Sequence, residues 1–363
     1  MAAAPHSFAN IAAEEGEDWR ALGEHPAVRS LAGLFEALFV PEPAFDWLAD
    51  EGALFAWLNT EEAEREAAAR GARLAGAPAA VVQHVHDKAF ALEVARRERL
   101  LPAALSDCIR VFEPGQLEDG EAVLAEIERE VARWPAWMDG RFTLKPRLGS
   151  SGRGRVGRRD GVAGALPRLR ARGGAILEPW LERTQDLSAQ LYLAPNGALT
   201  LVGTSELRVS STGVYRGQRG RVDARGRVAT DSRHDGALRE AAAAVAGAAA
   251  REGYHGPCGL DAFAYRGPDG REELRAVVEL NARFTSGHVA LGHLRRNHSE
   301  VRQRLSLSPD HPAAFLFALA SPADGWPEMV APVYRLPLPE DGPLLLVAPE
   351  PGDLDAALGS ALP

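Results

Sequence analysis

The sequence predicts a mixed α/β (α+β) protein built from more than one lobe. Its 363 residues exceed the length of one ordinary domain, which is about 100–200 residues. Residues 141–209 contain short apolar runs separated by turns rich in glycine, proline and asparagine, which is typical of strands. Residues 237–253 (ALREAAAAVAGAAAREG) instead form an alanine-rich stretch closed by glycine, which predicts a long helix.

The composition is that of a globular protein, with 46% hydrophobic and 25% charged residues. A net charge of −9 argues against nucleic acid or an anionic membrane as the main partner. The two cysteines, Cys108 and Cys258, lie far apart and lack the spacing of a disulfide framework or a zinc site. No signal-peptide pattern or membrane-spanning run is present, so we expect a cytoplasmic protein.

Three further helices are predicted in the first half of the chain. The stretch EEAEREAAARGARLAG is expected to form a helix that ends near Gly71. The next begins at Asp87, whose carboxylate can cap the first turn, and ends before Pro102. The third is the acidic segment at residues 118–135.

Strands are predicted in pairs. RFTLKP and GAILEPWL are short strands, and DLSAQLYLAPNGALTLVGTSELRV is a hairpin that turns at Pro-Asn-Gly. PCGLDAFAY and ELRAVVELNARF form a second hairpin, separated by the turn-rich RGPDGREE. ALFAWLNT (residues 53–60) and the segment carrying His84 and His86 are also expected to be strands. The proline-rich last sixty residues are expected to be edge strands or a wrapping tail.

Three oxygen-bearing side chains of the second hairpin are expected to meet on one face. Glu279 and Asn281 are two residues apart and point the same way, and a turn near Gly270 places Asp261 opposite Glu279. Two carboxylates and an amide oxygen suit Mg²⁺ or Mn²⁺. Solvated positions on an exposed face are the alternative, but the apolar LRAVVELN makes an unpaired carboxylate costly there.

Lysine is rare in this chain. Of 41 basic residues only Lys88 and Lys145 are lysine, and Lys145 stands directly before the loop RLGSSGRGR. Backbone N–H groups and small hydroxyls in such a loop can wrap phosphate oxygens, although the loop alone is equally typical of a flexible surface turn. The loop residues expected to contact phosphate are Gly149, Ser150, Ser151, Gly152 and Gly154.

The segment AILEPWLERTQDL carries a third group of candidates. An apolar strand running into Glu178, Trp180 and Leu181 offers a backbone edge to a flat heteroaromatic ring, with Glu178 accepting from an exocyclic amine. Asp186 is placed to bind ribose hydroxyls. Taken by itself, the segment is more typical of an ordinary hairpin with a buried tryptophan.

Together these stretches resemble the ATP-grasp superfamily. HDKAF, LKPRLGSSGRG, LEPWL, GLDAFAY and ELNAR occur in the order and approximate spacing of that superfamily, across roughly residues 80–295. GYHGPCGLDAF and ELNARFTSGH are most similar to its carboxylate–amine ligases. The resemblance implies an ATP-grasp fold of two α+β lobes that grip ATP, preceded by a smaller N-terminal α/β lobe.

The same resemblance implies a division of the chain. Residues 1–86 would be the N-terminal lobe, which is atypical because it lacks an obvious leading strand and glycine turn. Residues 87–300 would be the ATP-grasp domain, with a small lid subdomain near 140–182. Residues 301–363 would be a proline-rich extension that packs on the core.

In the superfamily, residues matching Lys88 and Lys145 bind the α- and β-phosphates and the glycine-rich loop closes over them. The strand linking the lobes binds adenine, which implies that role for Glu178, Trp180 and Leu181, and the ribose role for Asp186.

The hairpin residues matching Asp261, Glu279 and Asn281 hold two magnesium ions in the superfamily, and Mn²⁺ is an alternative. Arg283 matches the arginine that approaches the acyl phosphate. A further basic residue contacts the γ-phosphate in many members, and here the candidates are Arg208, Arg216 and Arg219.

The implied function is that of an ATP-dependent ligase. A carboxylate would attack the γ-phosphate of ATP, and an amine would convert the acyl phosphate to an amide, releasing ADP and phosphate. Small-molecule acids and amines are the expected substrates, with amino acids or a peptide among them, and a homodimer is a candidate assembly. A phosphotransferase on the same scaffold and a non-catalytic nucleotide-binding regulatory protein are the alternatives; the complete carboxylate set argues against the second.

Overall fold

The structure is a computed structural model that describes residues 53–54, 56–69, 71, 73–149, 154–157, 159–210, 213–318, 332–336 and 344–358. The helices are α1 Glu61–Ala69, α2 Ala79–His86, α3 Lys88–Arg97, α4 Gly120–Ala132, α5 Val162–Ala171, α6 Asp235–Arg251, α7 Ser286–Arg296, α8 His298–Arg304 and α9 Pro351–Leu358. The strands are β1 Ala53–Leu54, β2 Arg73–Leu74, β3 Arg110–Phe112, β4 Phe142–Pro146, β5 Ala175–Pro179, β6 Arg183–Leu193, β7 Leu199–Val209, β8 Tyr215–Val222, β9 Val228–Ala229, β10 Gly256–Arg266, β11 Glu272–Asn281, β12 Ala313–Ala318, β13 Tyr334–Arg335 and β14 Leu344–Ala348.

Two sheets organise the described chain. The small sheet is antiparallel with the order β3-β5-β4, and the large sheet has nine strands in the order β11-β10-β6-β7-β9-β8-β12-β14-β13. The short strands β1 and β2 form a separate parallel pair. Short loops such as Pro-Asn-Gly between β6 and β7 keep consecutive strands antiparallel neighbours.

The helix ends follow the capping chemistry expected from the sequence. The Asp87 carboxylate accepts from the backbone N–H of Ala89 and so begins α3. Asp119 accepts from the first-turn N–H groups of α4 in the same way. After α6, Gly253 adopts φ +87°, a conformation that glycine takes without steric penalty.

The hydrophobic core at the small sheet is distinct from those that cover the large sheet. The alanine-rich face of α6, including Ala241, Ala242 and Val245, packs against β6 and β10, because small side chains allow a close approach of helix to sheet. The small sheet packs on α4 and α5. Phe263 and Tyr265 of β10 are buried in this second core and so anchor the large sheet to the small one.

Some expectations from the sequence were wrong. In the predicted strand 53–60, Ala53 and Leu54 are the only described residues that lie in a strand. His84 and His86 lie on helix α2, where burial of Val82 and Val85 follows helical spacing. The late apolar runs extend the large sheet as β12, β14 and β13, so they are strands, but of these only β13 lies at the edge of the sheet, and the expectation of edge strands was wrong for β12 and β14.

Most of the predicted N-terminal lobe, residues 1–52, lies outside the described residues, and the proposed domain boundaries stay a prediction. None of the helices in the described ranges has the length and apolar character needed to cross a membrane.

Candidate functional site

A cleft between the small sheet and one face of the large sheet collects most of the residues singled out from the sequence. Strands β6, β10 and β11 supply its floor, and β4, β5 and the start of the glycine-rich loop supply its opposite side. The predicted residues that line it are Lys88, Lys145, Gly149, Glu178, Asp186, Asp261, Glu279, Asn281 and Arg283.

The hairpin of β10 and β11 brings the predicted oxygen ligands together. Asp261 pairs with Glu279 and Gly259 with Asn281, so the predicted register is found at this end of the hairpin. Near the turn the register differs, because Phe263 pairs with Arg275 and an irregularity inserts extra residues into β11. The carboxylates therefore face each other with help from a bulge that the sequence pattern did not indicate.

Asp261 is held by two donors. The Ser188 hydroxyl donates to Oδ1 at 2.8 Å, and the Asn281 amide donates to Oδ2 at 3.0 Å. Ser188 in turn accepts from the buried amide of Gln190 at 2.8 Å. Sequence reasoning missed Ser188 and Gln190, although both alternate with Asp186 along the cleft face of β6.

The two carboxylates differ in their electrostatic surroundings. Burial, and then the nearby charge of Glu279, raises the pKa of Asp261 well above its ordinary value. Burial alone would also raise the pKa of Glu279, but the ammonium groups of Lys88 and Lys145 outweigh it and lower that pKa. Glu279 is therefore the more easily ionised of the two carboxyl groups, and Asp261 keeps its proton more readily.

The hairpin set fits a hard divalent cation. Asp261, Glu279 and Asn281 can all offer oxygen ligands, and the Lys88 ammonium pairs with only one of the two carboxylates, Glu279. In the described ranges no group of three or more His, Cys, Asp or Glu side chains could hold a metal ion. A cation at this set would complete its coordination with ligand oxygens and water, as Mg²⁺ commonly does.

Lys88 connects this set to the glycine-rich loop. Its ammonium lies 2.9 Å from Glu279 Oε2 and donates to the carbonyl oxygen of Gly149 at 2.7 Å. Lys88 is the first residue of α3, directly after the capping Asp87, and its backbone N–H donates to the carbonyl oxygen of Arg147. The Arg147 side chain also donates to the Asp87 carboxylate, so the start of α3 is fixed against the end of β4.

Lys145 belongs to a second, fully buried charge cluster. Its ammonium lies 2.9 Å from Glu178 Oε1, and Arg275 donates to Glu178 Oε2 at 2.7 Å. Burial lowers the pKa of Lys145 to about 8, although Glu178 opposes that change. Burial opposes ionisation of Glu178, but Arg275 and Lys145 outweigh it and lower its pKa. Both Glu178 oxygens thus already have cationic partners. The sequence had instead predicted that Glu178 accepts from an exocyclic amine.

Of the predicted residues after β5, Asp186 lines the cleft, whereas Trp180 and Leu181 do not. Asp186 lines it and accepts from Arg183 at 2.7 Å. The Trp180 ring lies 5.2 Å from the Arg183 guanidinium and 5.8 Å from that of Arg155. Leu181 is buried in the core of the small sheet and does not line the cleft.

Arg155 lines the cleft, although it is not among the residues predicted to form the site. It follows the glycine-rich loop and donates to the carbonyl oxygen of Gly213 at 3.2 Å, joining the small-sheet side to the loop before β8. Burial lowers the pKa of Arg155, and the neighbouring Arg183 adds to the effect. The sequence signal for Arg155 was its position as a basic residue directly after Gly154.

The structure does not bring the three γ-phosphate candidates to the cleft. Leu207 and Val209 line it, so Arg208 between them points to the other face of β7. Arg216 is exposed at an irregularity in the pairing of β7 with β8, and Arg219 pairs with Glu206 at 2.7 Å.

Arg283 lines the cleft and lies three residues before the start of α7. It is 7% exposed and donates to the carbonyl oxygen of Phe284 at 2.8 Å. Thr285 begins α7 through a reciprocal cap with His288. The first turn of this helix, at Ser286 and Gly287, therefore faces the cleft.

Of the predicted loop residues, Gly149 lines the cleft, whereas Gly154 does not, and its carbonyl oxygen accepts from Arg168. Gly154 has φ +80°, which favours glycine at this position. Ser150, Ser151 and Gly152 lie outside the described residues.

Two α+β lobes around a cleft of lysines and hairpin carboxylates define an ATP-grasp fold, which confirms the fold predicted from the sequence. Solved structures share it. Biotin carboxylase from Campylobacter jejuni, solved as a β-γ-ATP complex, has a TM-score of 0.55 and 15% identity, over 87% of this chain and 76% of that chain.

Two further solved structures have the same fold. Carboxyaminoimidazole ribonucleotide synthase from Aspergillus clavatus, solved with ATP, has a TM-score of 0.52 and 16% identity over 86% of this chain and 82% of that one. N5-carboxyaminoimidazole ribonucleotide synthetase from Thermus thermophilus has a TM-score of 0.51 and 19% identity over 87% and 82% of the two chains. No protein-family model and no curated protein sequence matches this chain.

Proposed function

We propose that the protein is an ATP-dependent carboxylate–amine ligase that forms an amide or peptide bond through an acyl phosphate and releases ADP and phosphate. The observation that carries the proposal is the convergence of Lys88, Lys145 and the Asp261–Glu279–Asn281 set on one cleft. A cleft that supplies both ammonium groups and hard oxygen donors suits a polyphosphate with its magnesium. The ATP or ADP complexes among the solved structures of this fold support the same assignment.

The lysines would bind the phosphates from two sides. Lys145 is rigid because it lies on β4 and pairs with Glu178, whereas Lys88 lies at the start of α3 and contacts the glycine-rich loop. Both side chains are buried, so their charges would act on a ligand with little screening by water. We assign the α- and β-phosphates to these two lysines.

Asp261, Glu279 and Asn281 would hold magnesium, which supplies counter-charge to the phosphates when it is bound. Ser188 and Asn281 fix the orientation of Asp261, so its remaining lone pairs stay directed into the cleft. Arg283, which donates to Asn281, would bind the anionic acid substrate or its phosphorylated form.

Arg155 and the glycine-rich loop would exclude water from the cleft. Arg155 already joins the small-sheet side of the cleft to the loop at Gly213, and the glycine-rich loop begins at Gly149 beneath it. Closure of this side would keep the acyl phosphate from hydrolysis before the amine arrives. Small-molecule acids and amines, including amino acids and short peptides, are the substrates that we propose.

The direct test incubates the protein with Mg-ATP and pools of amino acids, small carboxylic acids and peptides. ADP release and condensation products are followed together by coupled assay and mass spectrometry. We expect ADP, phosphate and a product lighter than its two substrates by one water, in equal amounts. Lys145→Ala should abolish all three while the folded protein remains intact by circular dichroism.

Two outcomes would contradict the proposal. Phosphate retained on the acceptor would identify a phosphotransferase instead. Tight ATP binding without ADP formation across the whole panel would identify a nucleotide-binding regulatory protein.

A further inference from the structure

A patch of buried polar side chains on the cleft face of the large sheet has no role in the proposed ATP site. Its members are Gln190 on β6, Ser205 on β7 and Gln218 on β8, which are at most 1% exposed. We refer to these three residues as the neutral patch, because none of them carries a formal charge.

The sheet register places the neutral patch on one face. Ser205 lies opposite Ser188, which is two residues before Gln190 on the same strand. Leu207, two residues after Ser205, lies opposite Gln218. Directly paired residues share a face of a sheet, as do residues two apart, so the three side chains follow one another diagonally across neighbouring strands.

Each member has a polar atom without a partner in the described part of the chain. These atoms are Gln190 Oε1, Ser205 Oγ and Gln218 Nε2, and all three are shielded from bulk water. Buried polar groups in native proteins are nearly always hydrogen-bonded, and leaving one unpaired is costly. Gln190 and Gln218 line the cleft, so a polar ligand bound there is the group that we expect to satisfy these atoms.

The neutral patch adjoins both the proposed metal set and α7. Gln190 Nε2 donates to Ser188, which donates to Asp261, so the patch begins two hydrogen bonds from the hairpin carboxylate. The Gln190 amide also packs on Gly287 in the first turn of α7, where a Cβ atom would lie only 2.5 Å from Gln190 Cδ. Gln190 and Gln218 both line the cleft.

The chemistry of the patch restricts its ligand. An amide oxygen accepts, an amide nitrogen donates and a hydroxyl does both, so the matching group must both donate and accept hydrogen bonds. A charged group would be desolvated there without a counter-charge from the patch, which is unfavourable. An apolar group would leave the three atoms unsatisfied.

We infer that the neutral patch is the subsite for an uncharged carboxamide group carried by the acid substrate, a few atoms from its reacting carboxylate. This inference rests on the proposed function, because it places that carboxylate beside the metal set and Arg283. It adds a substrate class to the proposed reaction, namely acids with a primary carboxamide.

The first test concerns the free protein and needs no ligand. Ser205→Ala removes an unpaired hydroxyl, so the melting temperature should rise by roughly 2 °C. Thr204→Val is the matched control, because Thr204 is the preceding residue, is equally buried and uses its hydroxyl to bond Asp235 and the N–H of Thr230. That control should lower the melting temperature. A lower melting temperature for Ser205→Ala as well would mean that its hydroxyl has a structural partner, which would overturn the inference.

The second test compares isosteric acids by isothermal titration, with the protein saturated by Mg²⁺ and a non-hydrolysable ATP analogue. Succinamate, which donates and accepts, should bind at least about tenfold tighter than succinate, levulinate or 4-methylpentanoate. Gln218→Leu should remove that preference and leave binding of the ATP analogue unchanged. Equal or weaker binding of succinamate, or no binding of any of the four acids, would overturn the inference.

The two proposals fail in different ways. If the wild-type protein does not bind the ATP analogue, the proposed function fails, whereas the comparison of Ser205→Ala with Thr204→Val stands independently of any nucleotide. If the analogue binds and the acids show no preference for the carboxamide, only the neutral patch assignment fails.

Discussion

The two charge clusters of the cleft differ in their balance of positive and negative groups. Around Glu178, two cations share one carboxylate, and each carboxylate oxygen has its own partner. Around Asp261 and Glu279, two carboxylates meet on paired strand positions, and Lys88 is the cation that pairs with Glu279. The first cluster joins the small sheet to β11, whereas the second faces the cleft.

This difference indicates separate tasks for the clusters. The first is closed: a buried carboxylate with both oxygens paired has little left to offer a ligand, so it holds Lys145 and Arg275 in place. The second has two carboxylates and one paired ammonium, and burial together with the charge of Glu279 raises the pKa of Asp261. Stability should therefore depend on Glu178 at the centre of the first cluster, whereas catalysis should depend on the second cluster together with Lys145.

The largest effect that we expect is the loss of stability in Glu178→Gln. This change leaves Lys145 and Arg275 buried together without a counter-charge, which costs about 3–5 kcal/mol of unfolding free energy. Lys145 can release its proton, because its pKa is already lowered to about 8, but an arginine cannot. Urea unfolding followed by circular dichroism measures the loss.

Glu61→Gln is the matched control for that variant. Glu61 pairs with Arg65 on the exposed face of α1, at 3.8 Å, and such pairs contribute at most about 1 kcal/mol. Equal losses in the two variants would remove the distinction between a closed cluster and an ordinary surface pair.

The next largest effect is on turnover, in Asp261→Asn. The amide keeps the shape of the side chain but removes its charge from the proposed metal set, so ADP formation should fall about 10²–10³-fold. Unfolding free energy should stay constant or increase, because repulsion with Glu279 is relieved. Stopped-flow ADP release and urea unfolding of the same preparation test both statements. Wild-type turnover would show that the hairpin set is not the metal site.

A smaller effect should appear in the pH dependence of stability without metal. Because the folded state raises the pKa of Asp261, it keeps a proton at pH values where the unfolded chain, with a pKa of about 4, has lost it. Linkage then requires that Asp261 contribute less stability as the pH rises above about 4. Glu178 has the opposite sign, since its lowered pKa adds stability that is lost only in acid, below its ordinary pKa.

The measurement is the difference in unfolding free energy between wild type and Asp261→Asn in the presence of EDTA. That difference should become less favourable to wild type by about 1–2 kcal/mol between pH 5 and pH 8. Glu178 is ionised in both states throughout this interval, so it leaves the difference unchanged. A flat or rising difference would contradict the raised pKa.

Local sequence patterns indicated the hairpin set and the two lysines, although the pairing in the hairpin also depends on a bulge in β11 that they did not indicate. Strand alternation and one turn position placed Asp261 opposite Glu279, and the rarity of lysine marked both ammonium groups. The partner of Glu178 was not predictable in this way. Arg275 lies 97 residues away on another sheet, and the contact depends on how the two sheets pack.

The hydrogen-bond donors around Asp261 could not be predicted from the sequence for a related reason. Ser188 and Gln190 lie in a strand whose pattern indicates only alternation, and their role follows from the pairing of β6 with β10. The γ-phosphate candidates, in contrast, were predicted from the sequence but do not lie in the cleft. Arg208, Arg216 and Arg219 are basic and close in sequence, but strand alternation and an irregular pairing direct them away from the cleft.

The smallest effect that we expect is that of Arg216→Ala. Arg216 is exposed and does not line the cleft, so it belongs to neither cluster, and turnover with saturating ATP should change less than about twofold. Arg155→Ala is the informative partner, because Arg155 lies in the cleft and bonds Gly213 across it. That variant should raise the KM for ATP about tenfold by weakening closure over the nucleotide. If Arg216→Ala instead lost tenfold or more, the β7–β8 loop would have to move into the cleft during turnover, and the division into two clusters would be incomplete.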